Sequence, residues 1–341
     1  MPWLGEEEVN CLKSTINRSW LTEGPECKKA EDTLRELLDC KHVTFAPNCS
    51  LGLFIGLLSL DMPESSEILV PDFTFFASCS TIAMAGFKPV VVDVNKKTFQ
   101  IDLDDLEKKI SSKTAAIMPV HIYGQGSNIN EILRIAKNRN LKVIEDAAQV
   151  LGVKYESKKD KSPSMKHLGT FGDLGVFSLY ADKTITTGEG GIICTNNDEL
   201  FEKIKLIRNY GRPNSGSFIH EHIGMNFRIT DMQGALLNIQ LSKLDEIKRQ
   251  RNETYQMYLE EFNQIPIKTM ELDHRSEFIP FRFPVLVENP DTILKELINS
   301  DIQTRRFFYP MHLQPGLSKY SLSKCSNSNY LYEHGICLPV H

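Results

Sequence analysis

Short, continuously apolar runs alternate along the chain with stretches in which apolar residues recur every three or four positions. The first kind predicts strands at His42–Ala46, Glu67–Pro71, Lys88–Val94, Ala115–Val120, Lys142–Ala147, Gly175–Tyr180 and Gly190–Thr195. Runs this short and this apolar are expected of strands covered on both faces. The second kind predicts helices at Ser50–Leu60, Ala77–Ala85, Leu103–Lys109, Ile129–Asn138 and Glu199–Asn209. Strands and helices taking turns in this way make an α/β domain. Glu156–Lys166, charged and containing Ser and Pro, and Leu317–Asn329, rich in Ser and Asn, read as loops.

A long helical pattern covers Asp231–Phe262, and Asn263–Ile267 breaks it. A shorter α/β pattern follows, with a strand at Phe281–Val287, a helix at Thr292–Asn299 and a loop after Asp301. The expected division is a large domain over 1–245 and a smaller C-terminal α/β domain over 246–341, bridged by the long helix. The closing Cys337-Leu-Pro-Val-His341 reads as a last strand with no helix after it. The small domain therefore reads as truncated, or its edge as covered by something else.

Composition narrows the class. Of 341 residues, 41% are hydrophobic and 24% charged, which supplies a core and excludes disorder. With 39 basic against 44 acidic side chains, the net charge of −5 gives no basic surface for nucleic acid. The opening Met1–Asn10 is acidic and turn-like rather than a secretory leader. The longest membrane candidate, Ile68–Phe87, contains Pro71, Asp72 and several hydroxyls, so no spanning helix is expected. Eight cysteines (Cys11, Cys27, Cys40, Cys49, Cys79, Cys194, Cys325 and Cys337) form no CxxC pair. They read as reduced core thiols of a soluble, cytoplasmic protein, with no metal site.

Three segments carry candidate chemistry. In the stretch Ser178–Gly191 a strand ends, Lys183 follows, and then come three threonines and three glycines. No Gly-Lys-Ser/Thr is present, so this is not a phosphate loop of the Walker kind, and Lys183 alone would read as a solvated charge. In Val143–Gln149, Asp146 closes a buried strand, where a carboxylate needs a cationic or hydrogen-bonding partner unless it caps a following helix. In Pro47–Gly52, a strand closes and a helix opens, so free N–H groups and the Ser50 hydroxyl suit a phosphate, or Ser50 is the cap. Together the three ask for a phosphorylated cofactor with a cationic ring nitrogen and a carbonyl that condenses with an amine. Pyridoxal phosphate has those features.

The same residues resemble the DegT/DnrJ/EryC1/StrS sugar aminotransferases nearly end to end. The resemblance is carried by Trp20-Leu-Thr-Glu-Gly-Pro25, Pro71-Asp-Phe-Thr-Phe-Phe-Ala77, Gly86-Phe-Lys-Pro-Val90, Val120-His-Ile-Tyr-Gly-Gln125, Glu145-Asp-Ala-Ala-Gln149, Lys183 with its Gly-rich follower, and Gly224-Met-Asn-Phe-Arg228. It implies a fold type I aminotransferase, with a mostly parallel seven-stranded sheet, a small C-terminal domain, and a homodimer whose active sites lie at the interface. It implies that Lys183 bonds covalently to pyridoxal 5'-phosphate and shuttles the proton, that Asp146 pairs with the pyridinium nitrogen, and that Gln149 meets the ring oxygen. Cys49 and Ser50 fall at the family's Gly-Thr phosphate positions, with Cys49 a departure, and Ser178 adds a hydroxyl. Phe75 falls where a ring stacks on the cofactor, its alternative being core packing. Asn226 resembles the residue that reaches the phosphate from the neighbouring subunit.

Lys183 stands where sugar 3-dehydrases of the family carry His, which implies transamination. Lys183–Gly191 and Thr304-Arg-Arg-Phe-Phe-Tyr-Pro-Met-His312 resemble the perosamine- and viosamine-synthase branch. That branch implies L-glutamate as donor and C4 of a nucleotide-linked 4-keto-6-deoxyhexose as acceptor. His312 reads as a sugar contact or a structural loop residue. Arg228 reads as a ligand for a donor carboxylate or sugar diphosphate, or as half of an interface ion pair. His121 and Tyr123 read as scaffold. The rival readings are amination at another sugar position or of a cyclitol, and a non-catalytic regulatory relative.

Overall fold

The computed structural model describes residues 3–158, 164–213, 216, 218–265 and 267–340. Its large sheet is built from β1 (His42–Ala46), β2 (Glu67–Pro71), β3 (Lys88–Val92), β4 (Thr114–Ile117) and β5 (Lys142–Asp146), and, after a hairpin of β6 (Lys154–Ser157) and β7 (Ser164–His167), from β8 (Leu174–Ser178) and β9 (Gly191–Thr195). The strand order is β1-β9-β8-β5-β4-β2-β3, and β9 runs antiparallel to both its neighbours while the other pairs are parallel. Because β9 is reversed, β1 points the same way as β8 and β5. The carboxyl ends of β1, β2, β4, β5 and β8 therefore share one edge, the edge at which open α/β sheets bind ligands.

Both faces are covered, which explains the unbroken apolar runs. On β2, Leu69 packs into the layer containing Leu34 and Ile132, from helices Pro25–Leu38 and Ile129–Arg139. Its neighbours Ile68 and Val70 point oppositely, into the layer holding Leu53, Ile82 and Ile204, from helices Cys49–Ser59, Phe76–Met84 and Asp198–Arg208. Alternation within a continuously apolar strand thus serves two cores at once.

Several expectations need correction. The opening segment is helical from Glu6 to Asn17, started by Gly5 N–H donating to Glu8 Oε2 at 2.8 Å. The stretch Asp231–Phe262 forms two helices, Asp231–Ser242 and Leu244–Phe262, because Lys243 leaves helical register. Its N–H bonds to Gln240 O at 3.2 Å, and its ammonium lies 2.8 Å from Glu8. The supposed loop at Glu156–Lys166 has paired strands at both ends, and Leu317–Asn329 holds part of a 3-10 turn (Pro315–Tyr320) and of helix Ser326–His334.

A smaller antiparallel sheet contains β10 (Lys268–Thr269), β11 (Phe283–Leu286), β12 (Arg305–Arg306) and β13 (Gly335–Leu338), in the order β10-β11-β13-β12. The last strand is thus interior rather than an edge. Its Ile336 and Leu338 pack with Tyr255, Tyr258 and Phe262, so the helix Leu244–Phe262 provides the cover expected from elsewhere. No helix among the described residues is long and apolar enough to cross a membrane.

Candidate active site

At the ligand-binding edge, β8 runs into a loop that closes on itself. Leu179 N–H donates to Gly190 O at 2.9 Å, and Leu179 O accepts from Thr187 N at 3.0 Å and Thr186 Oγ1 at 2.8 Å. Thr186 Oγ1 in turn accepts from Gly188 N at 2.9 Å. Thr186 and Thr187 are therefore loop staples. Gly191 is required because a Cβ there would sit 2.5 Å from Asn48 O, where the end of the loop meets the start of helix Cys49–Ser59. Between these staples Lys183 N–H donates to Tyr180 O at 3.0 Å, and Arg251 Nη2 donates to Lys183 O at 2.9 Å. The backbone of Lys183 is held on both sides while its side chain lines a cavity of about 490 Å³, with Nζ 4.5 Å from the centre of the Phe281 ring. Burial pushes its pKa down, against the pull of Asp182, Cys49 and Asp146.

Asp146, the last residue of β5, lines the same cavity and is buried. Its Oδ2 accepts from Ser78 Oγ at 2.8 Å, Ser78 pairs with Thr74 Oγ1 at 2.9 Å, and Oδ1 accepts from Ala148 N at 3.2 Å. A turn follows, so the helix-cap alternative falls away. Burial raises its pKa above the usual carboxylate value, and the neutral donors only partly offset that. A cationic N–H brought to it would be bound strongly.

The third component is the start of helix Cys49–Ser59. Asn48 is its cap, with Oδ1 accepting from Leu51 N at 2.9 Å, so Ser50 is not. Cys49 and Ser50 occupy the first turn, whose N–H groups have no intrahelical acceptor, and both line the cavity beside Ser178. Burial and the Asp146 carboxylate push the Cys49 thiol well up, so it stays protonated.

A depressed amine, a carboxylate in need of a cation, and a helix start whose Ser50 hydroxyl is joined by that of Ser178 thus converge from β8, β5 and β1. The model of the DegT/DnrJ/EryC1/StrS aminotransferase family matches residues 2–341. The chain belongs to that family. It is an enzyme of a pyridoxal-phosphate-dependent aminotransferase family, and the cavity's donor set fits that cofactor. The GDP-perosamine synthase of Escherichia coli O157:H7 is 32% identical over 322 residues, covering 93% of this chain and 86% of its own. An uncharacterized protein of Methanocaldococcus jannaschii is 34% identical over 360 residues, covering 100% and 91%. Among solved structures, S. venezuelae DesV, in complex with a ketimine intermediate, aligns at TM-score 0.91 and 26% identity, covering 98% of this chain and 89% of its own. The aminotransferase TlmJ of Streptoalloteichus hindustanus, at TM-score 0.92 and 24% identity, covers 99% and 91% and matches in fold.

The remaining family positions divide. Gln149 lines the cavity, and its Oε1 accepts from Tyr123 N–H at 2.7 Å, which leaves the amide NH2 as the end without a partner among the described residues. Phe75 also lines it and is 62% exposed, so the core-packing alternative fails. Tyr123 is a wall residue, fully buried and stacked on Phe308 at 5.8 Å. His121 is scaffold: Nδ1 accepts from Ser127 N–H at 3.1 Å, and Nε2 lies 3.0 Å from Glu145.

Asn226 and Arg228 are not brought to this cavity. Asn226 is exposed, and Arg228 donates to Asn209 Oδ1 at 2.7 Å beside a different hollow. His312 is also absent from the cavity wall, because its imidazole packs on Asp72, Nδ1 to Oδ2 at 2.7 Å, and its backbone N–H donates to Asp72 Oδ1 at 2.8 Å. It brackets the end of β2 and the C-terminal segment, as the structural alternative for His312 expects. Missed from the sequence were Arg282, Arg305 and Arg306, which all line the cavity. A charge inside the apolar run Phe281–Val287 was the available signal for Arg282.

Proposed function

We propose that this enzyme transfers the amino group of L-glutamate to C4 of a nucleotide-linked 4-keto-6-deoxyhexose, giving a 4-amino-4,6-dideoxyhexose for glycan biosynthesis. The observation that carries the reading is the meeting of Lys183 and Asp146 in one cavity with the start of helix Cys49–Ser59. The C4 assignment is supported by the Thr304–His312 segment and by the identity with GDP-perosamine synthases.

Pyridoxal phosphate, when bound, supplies the carbonyl that joins amines and the ring that delocalises a carbanion. Lys183 would hold it covalently through Nζ. The same Nζ, whose pKa burial depresses, would take the proton from the donor's α-carbon and later deliver one to C4 of the sugar. Asp146 keeps the ring nitrogen protonated, and that positive N–H draws the carboxylate back to its ionised form. The Gln149 amide NH2 donates to the ring oxygen, and Phe75 covers the ring. The Ser50 and Ser178 hydroxyls and the first-turn amides of Cys49 and Ser50 hold the phosphate. We assign Asn226 to the phosphate of a second copy of the chain, with Arg228 beside it at the same interface. We assign the cofactor-binding part to residues 1–245 and the smaller part to 246–341.

Incubation with L-glutamate and either GDP- or UDP-linked 4-keto-6-deoxyhexose, read by mass spectrometry and NMR, should give the 4-amino product. A 3-amino product, or turnover of neither sugar, would replace the substrate assignment. Lys183→Ala should fold normally, lose the near-violet absorption and the borohydride-trapped adduct, and lose transfer. Full turnover by that variant would overturn the role of Lys183.

A further inference from the structure

A second cavity, about 430 Å³, shares Tyr180, Asp182, Lys183, Arg282, Arg305 and Cys337 with the first. Its charged lining is lopsided. Arg251, Arg282, Arg305 and Lys183 face one carboxylate, Asp182. Arg251 is committed, with Nη1 donating to Pro280 O at 3.1 Å and Nη2 to Lys183 O at 2.9 Å. Burial, and then the like charge of Arg282, push its pKa down to about 10. Arg282 and Arg305 share a single oxygen, Asp182 Oδ2, at 2.7 Å and 3.6 Å. A guanidinium carries five donors, so both retain unused N–H groups. The Arg305 side chain is 70% exposed, free to swing onto a ligand, whereas that of Arg282 is 11% exposed.

We propose that Arg282 and Arg305 form the subsite for a carboxylate of the amino donor, with Asp182 holding the pair in place while the subsite is empty. The inference rests on the aminotransferase reading above. Position decides between a carboxylate and the sugar's diphosphate. The Arg282 guanidinium and Lys183 Nζ both approach the Phe281 ring, at 4.9 Å and 4.5 Å from its centre, and the Arg282 charge acts on the Lys183 amine, so the two share one part of the cavity. In an α-amino acid the carboxylate carbon is bonded to the carbon that bears the reacting nitrogen. In a 4-keto sugar nucleotide, C4 lies across the hexose ring from C1, and the first phosphorus is a further oxygen away. The cations beside Lys183 are thus within reach of the donor's carboxylate while the diphosphate lies farther out.

Arg305→Gln tests this in the cofactor-loaded enzyme, because the exposed side chain can be changed without disturbing the core. Binding of glutarate, an unreactive dicarboxylate, is read from its perturbation of the cofactor absorption, and binding of GDP and UDP by calorimetry. Loss of a charged hydrogen bond should weaken glutarate roughly 10- to 100-fold and leave nucleotide affinity unchanged. Weakened nucleotide binding with glutarate unaffected would reassign the arginines to the diphosphate and overturn the proposal, as would no change in either. Failure of the substrate reading is separable, since it appears as absence of 4-amino product from the unsubstituted enzyme.

Discussion

Burial acts on Asp146 and Lys183 in opposite chemical senses, holding a proton on the acid and removing one from the base. Without cofactor, the folded chain therefore binds Asp146's proton more tightly than the unfolded chain does. Stability from this group is complete below the ordinary carboxylate pKa and declines as pH rises toward the raised one. Asp146→Asn should make the apoprotein at least as stable as the parent near about pH 7, with the advantage fading on acidification, while weakening cofactor binding. Thermal melts of both apoproteins across pH would show this, and an advantage that grew in acid would contradict it. His167 gives the opposite slope. It is buried with Nδ1 unpartnered among the described residues, and burial, with Lys154 and Lys248 nearby, lowers its pKa to about 4. The unfolded chain takes up its proton first, so stability is lost as pH falls from about 6.5 toward about 4, by roughly 3 kcal/mol in total. His167→Gln should flatten that slope in denaturant titrations; an unchanged slope would place the acid sensitivity elsewhere.

That Lys183, Asp146 and Ser50 meet in one cavity was readable from sequence, because each stands at or just after a strand end and the fold brings those strand ends to one edge. Residues whose place depends on long-range packing were not. His312 is captured by Asp72, which lies 240 positions away, and no local pattern announces that pairing. Arg305 reaches the cavity because β12 pairs with β13, a register that the two-residue strand does not encode by itself.

At the scale of elements, the start of helix Cys49–Ser59 combines a structural cap with the proposed phosphate site. Asn48→Ala removes the bond to Leu51 N and should lower stability by about 1 kcal/mol. Asn48→Asp keeps an acceptor, so calorimetry should find its stability closer to the parent. It also places a negative charge beside the phosphate, so it should weaken cofactor binding more than the Ala variant does. Equal cofactor affinity in the two variants would move the phosphate away from this helix. Strands β1 and β2 match their apolar runs to the residue because each is short, buried on both faces and bounded by breakers. Helix Pro25–Leu38 was less legible. Its buried Cys27, Ala30, Leu34 and Leu38 keep a helical period, but Lys, Glu, Asp and Arg fill the intervening positions and dilute it. The split at Lys243 was invisible because the apolar period runs through it, and what leaves helical register is the backbone.

At the scale of the whole molecule, the cavity has Lys183 and Asp146 from one chain, while Asn226 faces outward among exposed Ile223 and Met225. Apolar side chains that are 97% and 60% exposed, on a segment flanking a family phosphate position, are the expected surface of a subunit contact. If each site draws Asn226 from its neighbour, two differently disabled chains can repair one another. A Lys183→Ala chain retains Asn226 to lend. An Asn226→Asp chain retains Lys183 but offers a charge that repels the phosphate. In a dimer of one of each, the site containing Lys183 receives an intact Asn226, and the other site carries both defects. Unfolding and refolding the two inactive variants together in equal amounts should therefore restore roughly a quarter of the parental site activity, since half the dimers are mixed and each has one sound site. Recovery requires exchange of subunits, so the same variants merely mixed below their dissociation temperature should stay inactive. No recovery after co-refolding, with size-exclusion chromatography showing mixed dimers, would place Asn226 outside the neighbour's site.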